Sequence, residues 1–184
     1  MRFGTLDWVP ALDAAHLLAD PVRDALERWS QNAPDAVGQV LVAEIDPERA
    51  DTAAMTETYG LPLEASGNCV LVAGKRAGAE RVAAAVVRAT TRADVNNVVK
   101  RLLDVRKASF LAMDRAVEDS RMEYGAITPV GLPADHRVLL DPRVVTGTVI
   151  IGSGLRRSKL LLPGEVLATM ARVEIVDGLA IPVG

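Results

Sequence analysis

The chain reads as a mixed α/β domain in which helices surround a largely antiparallel sheet or a distorted barrel. Apolar runs of β character alternate irregularly with stretches of helical periodicity, and a β-hairpin signature stands mid-chain where a βαβ repeat would be needed for a parallel sheet. The last third adds three closely spaced strand-like runs. No repeat, low-complexity segment or linker divides the 184 residues, and 49% apolar content is enough to bury a core as one domain over 1–184.

Each element has its own signal. Pro21 opens PVRDALERWSQNA, with Val22, Leu26 and Trp29 at helical spacing and Asp20 available as a cap, which predicts a helix ending before Pro34. VGQVLVAEID (37–46) is β-like, and PERADTAAMTETYG returns to helical periodicity from Pro47 to a stop at Gly60. NCVLVAGKRAGAERVAAAVVRAT predicts a hairpin whose slightly long loop contains Gly74 and Gly78. ADVNNVVKRLLDV (93–105) sets Val95, Val98, Val99, Leu102 and Leu103 on one face of a helix. KASFLAM follows as a short strand and DRAVEDSRM as a short helix. HRVLLD, TGTVIIGSG and KLLL predict three strands, and PGEVLATMARV a closing helix from near Pro163.

Composition excludes several functions. The net charge of −3 is unlike that of a domain whose whole surface grips nucleic acid, so no DNA partner is expected, although a local basic patch is compatible with it. Cys69 is the single cysteine, which rules out an internal disulfide and a CxxC metal site. The start MRFGTLDWVP has neither a basic region nor a long apolar run, and no segment approaches the roughly 18 apolar residues of a membrane span. A cytoplasmic protein without a membrane partner is expected.

Two Gly/Pro loops carry the chemical signal. YGAITPVGLP (124–133) and IGSGLRRSK (151–159) are suited to presenting backbone amides and positive charge to an anionic ligand. Gly125 and Ala126 are candidate oxyanion donors, with Pro129 stiffening the loop and Thr128 adding a hydroxyl. Gly152, Ser153 and Gly154 are candidates for the opposite wall, and Arg156, Arg157 and Lys159 for phosphate oxygens. The plainer alternative is a tight turn and a strand end flanked by solvated cations. His136 is a candidate base or RNA contact, although a lone histidine is more often a core or surface residue; His16 is a weaker one. Cys69 reads as a small core residue, and without a Cys/His or Ser/His pair no covalent mechanism is expected. No metal-ligand cluster is visible, so neither metal nor cofactor is predicted.

The ordered set from YG-LPLEAS through NCVLVAGK, VVKRLLDVRKASF, YGAITPVGLP, VLLD and VIIGSGLRRSKLLL to PGEVL resembles the YbaK/ProX family of aminoacyl-tRNA deacylases, over about residues 48–176. The same family supplies the editing insertion domain of bacterial prolyl-tRNA synthetases. Its most specific element here is the Gly-x-x-x-Pro loop from Gly125 to Pro129, followed by Gly131 and Pro133. The resemblance implies hydrolysis of the ester of a mischarged tRNA carrying a small amino acid. Its partners would be the acceptor end of aminoacyl-tRNA and, further, a synthetase, with no cofactor. It places Ile127 and the small and apolar residues near Val70 and Val72 around the aminoacyl group, and Asp141, the acidic residue after the VLL strand, where it can orient a pocket group or a water.

The sequence departs from the family at one point. The lysine that the family carries at the start of the GNCVLVAG strand falls here on Gly67 or Asn68. Asn68 offers only a neutral amide, suited to orienting the ribose or the amino group. Lys75 and Lys107 are candidates for a replacement cation. Three functions therefore stay open: a trans-editing hydrolase, an inactive module that binds a tRNA end, a nucleotide or a synthetase, and an interaction protein that keeps only the fold. With 3% aromatic residues, broad single-strand RNA binding is the least expected.

Overall fold

In the computed structural model, which describes residues 1–183, the chain opens with β1 (Arg2–Phe3), β2 (Leu6–Asp7) and β3 (Val9–Pro10), then a 3-10 segment over Ala11–Leu17. Two-residue strands carry too little alternation to stand out in a sequence. The expected first helix is α1 (Asp20–Ser30), with Val22 and Leu26 fully buried. Pro34 begins a further single turn, α2 (Pro34–Val37), ahead of β4 (Leu41–Glu44). A 3-10 turn over Pro47–Arg49 leads into α3 (Thr52–Tyr59), which Gly60 ends in the left-handed region at φ 61°.

The predicted hairpin is β5 (Gly67–Arg76) with β6 (Ala79–Arg88), paired over all ten residues. Its connection is tighter than the sequence suggested. Only Ala77 and Gly78 turn, both at positive φ, and Gly74 lies within the ladder opposite Arg81. After β7 (Thr91–Ala93), the helical pattern at 93–105 becomes a π-helical turn, Val95–Val99, running into α4 (Lys100–Leu102). The Asp94 carboxylate caps it by accepting from the Asn97 N–H at 3.1 Å. There follow β8 (Ala108–Phe110), α5 (Met113–Ser120), β9 (Arg137–Leu140), α6 (Pro142–Val145), β10 (Thr148–Gly152) and β11 (Ser158–Pro163). The closing helix is the short α7 (Gly164–Ala168), because the chain turns back into β12 (Val173–Ile175) and β13 (Ala180–Pro182).

Two main sheets result. One has the order β12-β9-β6-β5-β8 and is mixed, with β9 parallel to both β6 and β12; the other, β10-β11-β4-β3, is antiparallel throughout. They do not close into a barrel, which removes that half of the expectation. Among the described residues the ladder passes between them only at one parallel bridge, Ser66 to Ile150. The reason lies at Gly67, where a Cβ would come within 2.8 Å of Val149 and 3.2 Å of Ile151. The start of β5 thus lies against side chains of β10, and the two strands do not pair edge to edge.

Strand alternation distributes the side chains over three cores. Val42, Leu71, Ala84, Val86, Leu140, Ile151 and Leu160 meet between the sheets under α1. Val72, Ala83, Ala85 and Leu139 face Val99 and Leu103 on the far side of the mixed sheet, and Ala43, Ile150 and Leu161 meet Met55, Leu61 and Trp8 on the far side of the other. At the end of β6, Arg88 is buried and donates to five carbonyls, those of Ala65, Arg143, Val144, Thr146 and Thr148, at 2.7–3.3 Å. It ties the turn before β5 to α6 and the start of β10. Among the described residues no helix is long and apolar enough to cross a membrane.

Candidate active site

The two Gly/Pro loops meet backbone to backbone. The Gly154 N–H donates to the Ala126 carbonyl at 2.9 Å, and the Glu123 N–H donates to the Gly154 carbonyl at 2.9 Å. Gly152 lies directly beneath, where any Cβ would strike the Ala126 carbonyl. This latch holds Tyr124, Gly125 and Ile127 over the mouth of a cavity of about 460 Å³. The start of α3, the first residues of β5, the β8–α5 connection and the ends of β10 and β11 complete its walls.

Most of the wall is apolar, including Met55, Leu71, Ile127, Ile150 and Ile151, and a few polar groups converge on it. Lys159 enters from β11, opposite Gly152 of β10. Its side chain is buried, and among the described residues the amine has no hydrogen bond or ion pair. Burial, and next the nearby Arg156 guanidinium, push this amine down to about 8, while Asp51 pulls in the opposite direction. Asn68, on β5, accepts from the Thr52 hydroxyl at 3.3 Å through Oδ1, which leaves its amide NH₂ free to donate. The Gly125 N–H likewise donates to no acceptor among the described residues, and Gly125 sits at φ 79°. Cys69 is also on the wall, but burial raises its thiol to about 12, so it is not a thiolate nucleophile at neutral pH.

Of the residues singled out in the sequence, Gly67, Asn68, Cys69 and Val70 of β5, Gly125 and Ile127 of the loop, and Gly152 and Lys159 line this cavity. Arg156 stands at its edge, donating to the carbonyls of Pro47 and Tyr124 and pairing with Asp51 at 3.5 Å. The others lie outside and have structural tasks. The Ala126 N–H is already given to Glu123, so the oxyanion pair expected from Gly125 and Ala126 keeps only its first member. Thr128 and Pro129 are buried behind the loop. Ser153 ties the turn together through Ser158 at 2.7 Å, and Gly154 belongs to the latch. Arg157 is exposed and reaches the His16 carbonyl.

Asp141 is fully buried and caps α6, accepting from the Arg143 N–H at 2.9 Å and from the Ala180 N–H at 3.0 Å. His136 lines a separate cavity of about 550 Å³, where Asp135 bonds its Nδ1 at 3.0 Å. Val72 is in the core behind the mixed sheet. Lys75 and Lys107 line other surface depressions, so neither replaces the missing β5 cation.

Sequence reasoning missed Asp51, Thr52, Phe110, Met113 and Tyr124. Asp51 holds the N-cap position of α3, which reads as capping, yet its carboxylate makes no capping bond and faces Arg156.

The family is now defined. Residues 46–170 match the model of the aminoacyl-tRNA editing domain, and the chain belongs to that family. No curated protein sequence matches it. Among solved structures, the crystal structure of hypothetical protein APE2540 is similar with a TM-score of 0.71 at 17% identity, covering 85% of this chain and 99% of the other. A candidate trans-editing enzyme for prolyl tRNA synthetase is similar with a TM-score of 0.66 at 15% identity, covering 87% and 98%. Both are matched in the mixed α/β fold.

Proposed function

We propose that the protein is a trans-editing deacylase that hydrolyses the ester between a small amino acid and the terminal ribose of a mischarged tRNA. The observation that carries this reading is Lys159, a largely buried side chain whose amine, unpaired among the described residues, opens on a cavity that also offers the Gly125 N–H and the Asn68 amide. Family membership supports the same chemistry.

In this mechanism a water attacks the ester carbonyl carbon, the bond from that carbon to the ribose oxygen breaks, and the leaving oxygen takes a proton. Negative charge develops on the carbonyl oxygen, where the Lys159 ammonium and the Gly125 N–H stabilise it. Asn68 orients the ribose hydroxyl, and that hydroxyl, beside the ester, assists the water; Asp51, the carboxylate on the wall, is engaged with Arg156. Ile127, Ile150, Ile151 and Leu71 select by shape, excluding larger side chains well. They distinguish one missing methylene by only about 1–3 kcal/mol.

A binding module is the second reading, favoured by a β5 start with no cation of its own and by the lack of a histidine on the wall among the described residues. The test is release of amino acid from tRNAs charged with proline, alanine, cysteine or serine, comparing wild type with Lys159→Met and Asn68→Ala. Release above the spontaneous rate from at least one of them, lowered about 100-fold in Lys159→Met, is expected. Tight tRNA binding with no release from any of the four would replace the hydrolase with the binding module.

A further inference from the structure

The chain has only six aromatic side chains, two each of Trp, Tyr and Phe. Trp8 is buried, and Phe3, Trp29 and Tyr59 are partly buried. The remaining two, Phe110 and Tyr124, are 64% and 60% exposed, and both line the mouth of the Lys159 cavity. Met113, 56% exposed, joins them there. A small protein that spends its two exposed rings and a methionine on one rim presents a surface suited to a flat apolar ligand.

We propose that Phe110, Met113 and Tyr124 form a stacking platform for the terminal nucleobase of the tRNA acceptor strand. The inference rests on the deacylase reading and deepens it by naming the base subsite. Its geometry follows from the substrate: with the aminoacyl group inside the cavity and the ester at Lys159, the base of the same nucleotide is one sugar away, at the rim. Each member of the platform is held in place. Phe110 is paired with Val72 across β8 and β5, Met113 begins α5, and the Tyr124 carbonyl accepts from Arg156. Every base has a π-face, so such a platform binds a single base without needing the extended aromatic surface of a general single-strand RNA binder.

The test uses a short CCA-ended RNA with 2-aminopurine in place of the last adenine, titrated with the full chain while its fluorescence is followed. Wild type should quench the probe. The double variant Phe110→Ala/Tyr124→Ala should lose the quenching and bind about five- to hundredfold more weakly, with an unchanged melting temperature because both rings are exposed. Phe110→Leu, which keeps apolar bulk without a ring, should recover only part of the binding. No quenching by wild type, or equal quenching and affinity in the double variant, overturns the platform. Deacylation assays on the same proteins separate the two readings. Turnover with an unaffected double variant sinks the platform alone, whereas ring-dependent quenching without any turnover sinks the hydrolase and keeps the platform.

Discussion

Arg88 and Lys159 are cations buried to nearly the same degree, at 6% and 7% exposure, and the fold treats them in opposite ways. Arg88 lies among carbonyl oxygens that accept from its guanidinium five times, whereas the amine of Lys159 faces a cavity and is bonded to nothing among the described residues. Desolvation opposes both charges, lowering the guanidinium of Arg88 and bringing the Lys159 amine to about 8. A buried charge with every donor satisfied is architecture, and one without an acceptor is a site that its ligand completes.

The largest effect that can break this comparison is on stability. Arg88→Met should destabilise the protein by about 3–5 kcal/mol in urea denaturation, because buried carbonyls lose their donor. A variant as stable as wild type would contradict the structural role given to Arg88. Lys159→Met should do the reverse, stabilising by about 2–3 kcal/mol at pH 7 while deacylation falls.

The sign follows from linkage. The folded state depresses this amine from its ordinary 10.5 to about 8, so between those values the unfolded chain binds more protons. Wild-type stability therefore carries the full cost below pH 8 and regains it as pH rises, and the advantage of Lys159→Met should vanish above about pH 10.5. The same titration should lower wild-type kcat/KM as pH rises through about 8, once spontaneous hydrolysis is subtracted, and Lys159→Arg should flatten that fall.

Gly125→Val should abolish most activity at a cost of about 1–2 kcal/mol in stability. Its backbone is left-handed, and a Cβ there would lie 2.6 Å from the Arg156 guanidinium. The smallest effect is expected of Arg157→Ala, within about 0.5 kcal/mol in stability and twofold in turnover, since this side chain points to His16 and away from the cavity. A large loss of turnover in that variant would mean that the basic run acts as a whole and not through Lys159 alone.

Periodicity made α1, β4, the β5–β6 hairpin and the strands β9, β10 and β11 legible, because each has enough apolar residues to mark a face. The strands β1, β2, β3, β7, β12 and β13, of two or three residues each, give no such pattern. At the site, the Gly125 loop and Lys159 were legible as residues but not as partners. Lys159 follows two arginines and looks like part of a solvated tail, and only its register opposite Gly152 turns it inward. Asp141 and His136 showed the converse. A polar residue beside an apolar strand suggests chemistry, yet a helix cap accounts for Asp141 and a separate cavity takes His136. Asp51, Phe110 and Tyr124 come from three distant segments, so their meeting is a tertiary fact.

The latch between the Ala126 carbonyl and the Gly154 amide is made of main-chain atoms, and this separates the geometry of the site from its chemistry. Ile127 and Tyr124 can be exchanged without unfastening it, so long as the glycine beneath stays. A library meant to shift the aminoacyl preference proposed above therefore belongs at Ile127, with Gly152 and Gly154 left alone so that the frame aiming that side chain stays fastened.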